Sequence, residues 1–173
     1  MDMITNYPLN GVSTKDLSIF VDERGSFAEV IREDWTDFID EWIRQASIKS
    51  CYPNMVTAWH RHLLGQFDYF LILSGGMKLC AYDDNEKQLV EIVTTEAKPM
   101  LIRIPGQYWH GLKAIGTSPS LLIYFTTRLY DYKKPDEEHR PWNDPNIIPK
   151  QINGKINDPR ANQPWDWFYP PHK

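Results

Sequence analysis

Cysteine and surplus positive charge are both scarce in this chain, and each shortage excludes a class of protein. Its 173 residues include two cysteines, Cys51 and Cys80, with no paired spacing. This excludes a disulfide framework, and we expect reduced thiols in the cytoplasm. The formal net charge of -4 at pH 7 provides no basic surface for phosphates, so we predict no nucleic-acid partner.

Long apolar runs are missing as well. No stretch approaches the ~20 residues of a membrane-spanning helix, and residues 1–6 lack the charged and apolar regions of a signal peptide. We therefore expect no membrane partner. Hydrophobic residues still make up 42% of the chain and aromatic residues 13%, which favours an ordered globular protein. The length suits one domain over residues 1–173.

In place of long runs, the chain has short ones with strand composition, separated by Gly, Pro, Asp and Asn. This spacing is typical of a sandwich or barrel, and we predict a mainly β barrel with a core over about residues 17–130. The runs are Phe27–Arg32, Ala46–Cys51, Met55–His60, Asp68–Leu73, Met77–Tyr82, Leu89–Thr94, Met100–Ile104 and Ser120–Thr126.

Two segments differ from this pattern. In Trp35–Ile43 the bulky residues recur at helical spacing, which predicts one short helix packed on the barrel. The tail over residues 131–173 is rich in proline, which blocks long regular elements, yet it carries Trp142, Trp165 and Trp167. So many aromatic residues indicate an irregular tail that packs on its own barrel or on a partner's.

Histidines are concentrated in two of the strand-like motifs. His60 and His62 are two residues apart, so in a strand both side chains lie on one face. His110 follows the turn at Pro105-Gly106. With Asp68 or Gln66, these three histidines could hold a divalent metal such as iron, nickel, manganese or zinc. A metal site is therefore one alternative from the residues alone.

Both histidine motifs resemble the paired signatures of the cupin superfamily, and further motifs narrow the resemblance. The chain is similar in order and spacing to the dTDP-4-dehydrorhamnose 3,5-epimerase family, as a divergent member. The motifs are Asp22–Glu29, Met55–His60, Ile104–Gly111, Leu122–Tyr130, Glu137 and Trp142–Pro145.

The resemblance implies a cupin, or jelly-roll, fold and an epimerase of a nucleotide-linked 4-keto-6-deoxyhexose. It implies a homodimer and neither cofactor nor metal. The 4-keto group acidifies the hydrogens on C3 and C5, so a base on one face and an acid on the other can invert those carbons. The residues carried over are His60 as base and Tyr124 as proton donor, with Arg24, Glu29, His110 and Glu137 as substrate contacts, the first two often from the neighbouring subunit.

Two departures from the family pattern bear on the chemistry. Thr57 stands where the family has an arginine, and Asp68 falls near the lysine that steadies the enolate. A carboxylate repels that charge, so His62 or Lys49 must substitute, or the reaction differs. The family's histidine-orienting aspartate corresponds best to Asp158. A catalytically silent sugar-binding cupin is a further alternative.

Overall fold

The computed structural model describes residues 3–170, which form two six-stranded sheets and a small hairpin. The strands are β1 (Ile4–Asn6), β2 (Ser13–Asp16), β3 (Phe20–Asp22), β4 (Gly25–Phe27), β5 (Gln45–Cys51), β6 (Val56–Arg61), β7 (Phe67–Ser74), β8 (Gly76–Asp83), β9 (Gln88–Thr95), β10 (Met100–Pro105), β11 (Trp109–Ile115), β12 (Ser120–Thr126), β13 (Glu138–His139) and β14 (Gln151–Ile152).

The first sheet has the order β1-β2-β10-β7-β12-β5 and the second has the order β13-β6-β11-β8-β9-β14. Their strand pairs are antiparallel, except that β14 runs parallel to β9. The hairpin is formed by β3 and β4. Two antiparallel sheets packed in this way form the predicted jelly roll.

The core lies between the two sheets, and strand alternation explains it. On β8, Met77 and Leu79 point into the shared core, whereas Cys80 and Tyr82 point to the opposite face. Side chains two apart share a face of a strand. Both faces of the central strands are buried, so each sheet must also be covered on its outside.

The first sheet is covered by residues 28–44, where the sequence predicted the rest of a strand and then a helix. Both predictions are wrong: the strand ends at Phe27, and Trp35–Ile43 forms turns. The Trp35 carbonyl accepts from the amides of Phe38 and Ile39, and the helix does not continue. So short a helix is marginal on its own, and packing decides instead. Phe38 is buried against the sheet, as the apolar spacing indicated.

The second sheet is covered by the tail, which packs on its own barrel. Trp167 and Trp165 lie against Trp59 and Tyr82 in one buried cluster. None of the residues 3–170 belongs to a helix long and apolar enough to span a membrane.

An ion cluster holds the tail in place. The guanidinium of Arg160 donates to both carboxylate oxygens of Glu91 on β9 and to Asp158 in the tail itself. Lys78 of β8 pairs with the same Glu91 at 3.1 Å. The tail is therefore fixed to the outer face of the second sheet by both packing and charge.

Candidate functional site

A cavity of about 360 Å³ opens between the two sheets. Its walls come from β5, β7 and β12 on one side and from β6 on the other, and residues 128–139 cross its mouth. Its lining residues are Gln45, Lys49, Thr57, His60, His62, Leu64, Gln66, Asp68, Phe70, Leu112, Leu122, Tyr124, Thr126, Arg128, Leu129, Tyr130, Asp131, Lys134, Asp136, Glu137 and His139.

Three of the histidines named from the sequence are brought together here. The ring centroids of His60 and His110 are 4.2 Å apart, and that of His62 lies 5.5 Å from His60. His110 is buried, packs against His60 and does not itself line the cavity. The close approach depends on Gly111, since a Cβ there would lie 2.2 Å from the Cβ of Ala58.

Asp68 joins two of these histidines. Its Oδ2 lies 3.1 Å from Nε2 of His110 and 3.5 Å from Nε2 of His62, and its Oδ1 accepts from Gln66 at 2.7 Å. Burial opposes the charge of Asp68, but the contacts with His110 and His62 outweigh it and hold its pKa well below the ordinary value. The buried carboxylate is therefore ionised.

Backbone contacts fix the tautomers of His62 and His110. Nδ1 of His62 lies 3.0 Å from the carbonyl oxygen of Asp136, and Nδ1 of His110 lies 2.8 Å from that of Tyr108. A carbonyl oxygen only accepts, so each Nδ1 carries the proton. Both Nε2 atoms then face Asp68, and the Nε2 of His110 is buried without a well-aligned hydrogen bond. A carboxylate attracts these nitrogens only when they carry a second proton or share a cation with it.

His60 and His62 differ in their readiness to hold a proton. Burial, with the neighbouring His110, lowers the pKa of His60 to about 2. Burial also opposes protonation of His62, but the carboxylate of Asp68 outweighs it and raises the pKa of His62 above the ordinary value. His60 is therefore a neutral imidazole at pH 7, whereas His62 holds a proton more readily.

Tyr124 reaches the cavity from the facing sheet. It lies on β12, and its ring stacks on Phe70 with centroids 5.9 Å apart. Phe70, Leu112 and Leu122 give this inner part of the cavity an apolar floor. The hydroxyl of a half-buried tyrosine at such a place can donate a proton to a bound molecule.

The other predicted site residues divide into two groups. Lys49 and Glu137 line the cavity, as do Thr57, Asp68 and Gln66. Arg24 and Glu29 do not line it in this chain. Arg24 pairs with Asp22 at 2.5 Å in the exposed hairpin, and Glu29 pairs with Arg32.

Asp158 does not lie beside His60, where the sequence predicted it. Its carboxylate accepts from Arg160 on the outer face of the second sheet, so it does not orient His60. The carboxylate in contact with the histidine cluster is Asp68.

Sequence reasoning missed two residues at the cavity mouth. His139 pairs with His60 across β13 and β6, and its Nε2 lies 3.2 Å from Oε2 of Glu137. Asp136 accepts from the backbone amides of Leu63 and Leu64 and so anchors the loop after β6. Both residues follow a change of chain direction after β12, and no local pattern marks them; the run of acids at 136–138 was the one signal.

Comparison with known proteins agrees with this arrangement. Residues 20–138 match the family described as the polysaccharide biosynthesis C-terminal domain. The chain is 44% identical over 140 residues to the probable low-salt glycan biosynthesis epimerase Agl13 of Haloferax volcanii, covering 78% of this chain and 88% of that protein. It is 35% identical over 144 residues to the spore coat polysaccharide biosynthesis protein SpsL of Bacillus subtilis, covering 80% and 93%.

Solved structures share the fold. A dTDP sugar isomerase from Desulfovibrio desulfuricans G20 superposes with a TM-score of 0.74 at 26% identity, covering 83% of this chain and 92% of that one. The dTDP-6-deoxy-D-glucose-3,5-epimerase RmlC of Legionella pneumophila superposes with a TM-score of 0.76 at 18% identity, covering 90% of each. The chain therefore belongs to the polysaccharide biosynthesis C-terminal domain family, and it has the fold of the dTDP-4-dehydrorhamnose 3,5-epimerases.

Proposed function

We propose that this protein is an epimerase that inverts C3, C5 or both in a nucleotide-linked 4-keto-6-deoxyhexose. The observation that carries the proposal is that His60 and Tyr124 come from facing sheets and line one cavity. A base and an acid on opposite sides of a sugar ring are what inversion next to a ketone requires. The names of the relatives, an epimerase and a dTDP sugar isomerase, support the same reaction class.

In this mechanism the neutral His60 takes a proton from the carbon beside the ketone. The C–H electron pair becomes the enolate, and the proton forms a new N–H bond on His60. Burial and the neighbouring His110 oppose that protonated imidazole, and the charge of Asp68 offsets part of their effect. Tyr124 then donates its hydroxyl proton to the opposite face of the same carbon, and water restores both groups.

The enolate oxygen needs a positive neighbour, and Asp68 is a carboxylate that cannot serve. Lys49 lines the same cavity, and no other residue among 3–170 forms an ion pair or a hydrogen bond with its ammonium group. We therefore assign enolate stabilisation to Lys49, with His62 as the other positive group in reach.

Deuterium exchange tests this proposal directly. A nucleotide-linked 4-keto-6-deoxyhexose incubated with the enzyme in heavy water is expected to gain deuterium at C3, C5 or both. His60→Asn is expected to reduce exchange by about 10²–10⁴-fold, with ligand binding retained. Tyr124→Phe should reduce inversion more than first proton removal, whereas the control Tyr130→Phe, also in the cavity lining, should do neither.

Ligand binding without any deuterium gain would contradict the epimerase and indicate the silent sugar-binding cupin instead. A variant pattern in which Tyr130→Phe abolishes inversion and Tyr124→Phe does not would reassign the acid.

A metal-binding cupin is a second candidate, because the nitrogen atoms of His60, His62 and His110 lie within 4.8 Å of one another. The residues fit such an ion: the Nε2 atoms of His62 and His110 both face the buried carboxylate of Asp68, and an ion there would replace the proton that His62 otherwise holds. Three imidazoles and a carboxylate suit zinc, iron, nickel or manganese. When bound, such an ion would act as a Lewis acid towards a ketone oxygen.

Elemental analysis separates the two candidates. The epimerase without metal predicts substoichiometric metal after purification and full deuterium exchange after treatment with a chelator. About one divalent ion per chain, together with chelator-sensitive exchange that the same metal restores, would favour the second candidate.

We further propose a cytoplasmic homodimer in which the β3–β4 hairpin reaches the partner's cavity. Three observations support it: Arg24 is 86% exposed, the apolar side chains of Phe20, Val21 and Phe27 on the same hairpin face solvent, and both cysteines are free thiols. Sedimentation should give a dimer at micromolar concentration. A monomer at that concentration would contradict the shared site.

A further inference from the structure

The carboxylates that line the cavity have hydrogen-bond partners within residues 3–170, whereas the lysine and arginine side chains that line it have none among those residues. Each carboxylate has donors within the protein: Asp68 has Gln66 and two histidines, and Glu137 has His139. Asp136 accepts from two backbone amides of the loop after β6. Asp131 accepts from the amides of residues 133 and 134. Each of these carboxylates therefore already has a hydrogen-bond partner within the protein.

The positive groups have no such partner in the described part of the chain. The side chains of Lys49, Arg128 and Lys134 line the same cavity, and over residues 3–170 none of them forms an ion pair or a side-chain hydrogen bond. Cations that line a cavity and are not paired with a carboxylate are available to bind an anionic ligand. Lys49, Arg128 and Lys134 are therefore the groups of the cavity that can bind an anion.

Arg128 and Lys134 lie at the outer end of the cavity. Both belong to the segment that crosses its mouth between β12 and β13, and both are exposed. The guanidinium of Arg128 rests over Gly65, where an added Cβ would lie 3.7 Å from Nη2. The inner end, by contrast, has the apolar floor formed by Phe70, Leu112 and Leu122.

A ligand that fits this polarity has an uncharged head with an apolar side and an anionic group several bonds away. A nucleotide-linked deoxysugar has that form, because its diphosphate joins the sugar to the nucleoside. We infer that Arg128 and Lys134 together bind the diphosphate, which rests on the proposed function. They supply the charge that Thr57, an uncharged residue in the cavity wall, does not supply.

The two residues contribute differently. The planar guanidinium of Arg128 can hold two phosphate oxygens at once, whereas the ammonium of Lys134 acts as a point charge on a flexible stem. Arg128→Lys keeps the charge and loses the two-point contact. It is therefore expected to weaken binding less than Arg128→Gln.

The test is calorimetric titration of dTDP, UDP and GDP, and of thymidine and uridine, into the full-length protein. Arg128→Gln and Lys134→Gln are each expected to weaken binding of the preferred nucleoside diphosphate about tenfold, and the double variant about 100-fold. Lys133→Gln is the matched control, because Lys133 is the neighbouring exposed lysine outside the cavity lining. It should change binding less than twofold, and affinity for the uncharged nucleosides should not change in any variant.

The outcomes separate this inference from the proposed reaction. Unchanged binding in both Gln variants, or an equal loss in Lys133→Gln, would overturn the diphosphate assignment while deuterium exchange could still establish the epimerase. The expected loss together with no deuterium exchange would support the assignment and refute the epimerase. A wild-type protein that binds none of the three nucleoside diphosphates would refute the substrate class and this inference together.

Discussion

Replacing Trp167 by alanine should destabilise the protein far more than replacing its exposed neighbour Phe168. The indole is 1% exposed, its ring centroid lies 4.9 Å from that of Trp59, and its Nε1 donates to the carbonyl of Trp142 at 3.1 Å. A buried aromatic side chain removes roughly 150–250 Å² from water, worth about 4–6 kcal/mol at ~25 cal/mol per Å².

Alanine keeps part of that burial, and the site relaxes, so we expect a loss of about 3–5 kcal/mol in the free energy of unfolding. For a chain of this size that corresponds to a fall of roughly 6–20 °C in Tm. Trp167→Phe retains a ring in the site and is expected to lose about half as much. It provides a measurable variant if the alanine protein does not fold.

Urea denaturation followed by circular dichroism gives the free energies. The control is Phe168→Ala, the next residue, whose ring is 48% exposed; its loss should be about 1 kcal/mol. A loss below about 1 kcal/mol for Trp167→Ala, or equal losses at the two positions, would show that Trp167 is not buried in the tail interface.

Three further predictions follow from other contacts. Gly111→Ala should push β11 away from β6, since the new Cβ would lie 2.2 Å from the Cβ of Ala58. We expect the free energy of unfolding, measured by denaturation, to fall by about 1–3 kcal/mol. An unchanged Tm would refute the close approach of the two strands. Burial opposes ionisation of Asp84, but the hydrogen bonds from Arg140 outweigh burial and lower the pKa of Asp84 below 3.8. The Arg140–Asp84 pair therefore stabilises the fold above pH 3.8, and that stabilisation is lost as the pH falls through the lower pKa of the folded state. Denaturation of Arg140→Gln should therefore show a deficit at pH 7 that shrinks below about pH 4, and a deficit that grows in acid would contradict it. Asp136→Ala should speed hydrogen exchange at the two amides that it holds in the loop after β6; unchanged exchange would mean that the carboxylate does not anchor them.

Strands with strong apolar alternation could be predicted from the sequence, and strands with buried polar residues could not. Both faces of β8 are buried and carry apolar residues, so its composition was sufficient to predict a strand. β2 contains Ser13, Thr14 and Lys15, all buried, so its sequence looks like a loop. β11 includes Gly111 and Lys113, whose roles depend on Ala58 and on the Trp167 carbonyl across the fold.

The candidate site follows the same division. The spacing of His60 and His62 and the motif at His110 were sufficient to predict a cluster, because local strand geometry determines which side chains share a face. His139 is brought beside His60 by a chain that returns about 80 residues later, and only β13 pairing reveals it. The helix prediction was wrong because the apolar spacing of Trp35–Ile43 reflects which side chains are buried on the sheet, and irregular turns bury them equally well.

The two-residue strands β13 and β14 have a consequence for anyone who shortens this protein. They occupy the two edges of the second sheet, next to β6 and β9. A chain that stopped before residue 138 would leave the backbone groups of both edges unpaired, beside an uncovered apolar face. Open sheet edges of that kind pair with other chains, so the shortened protein should precipitate as intermolecular β-sheet. The tail therefore protects the sheet that carries His60 from aggregation.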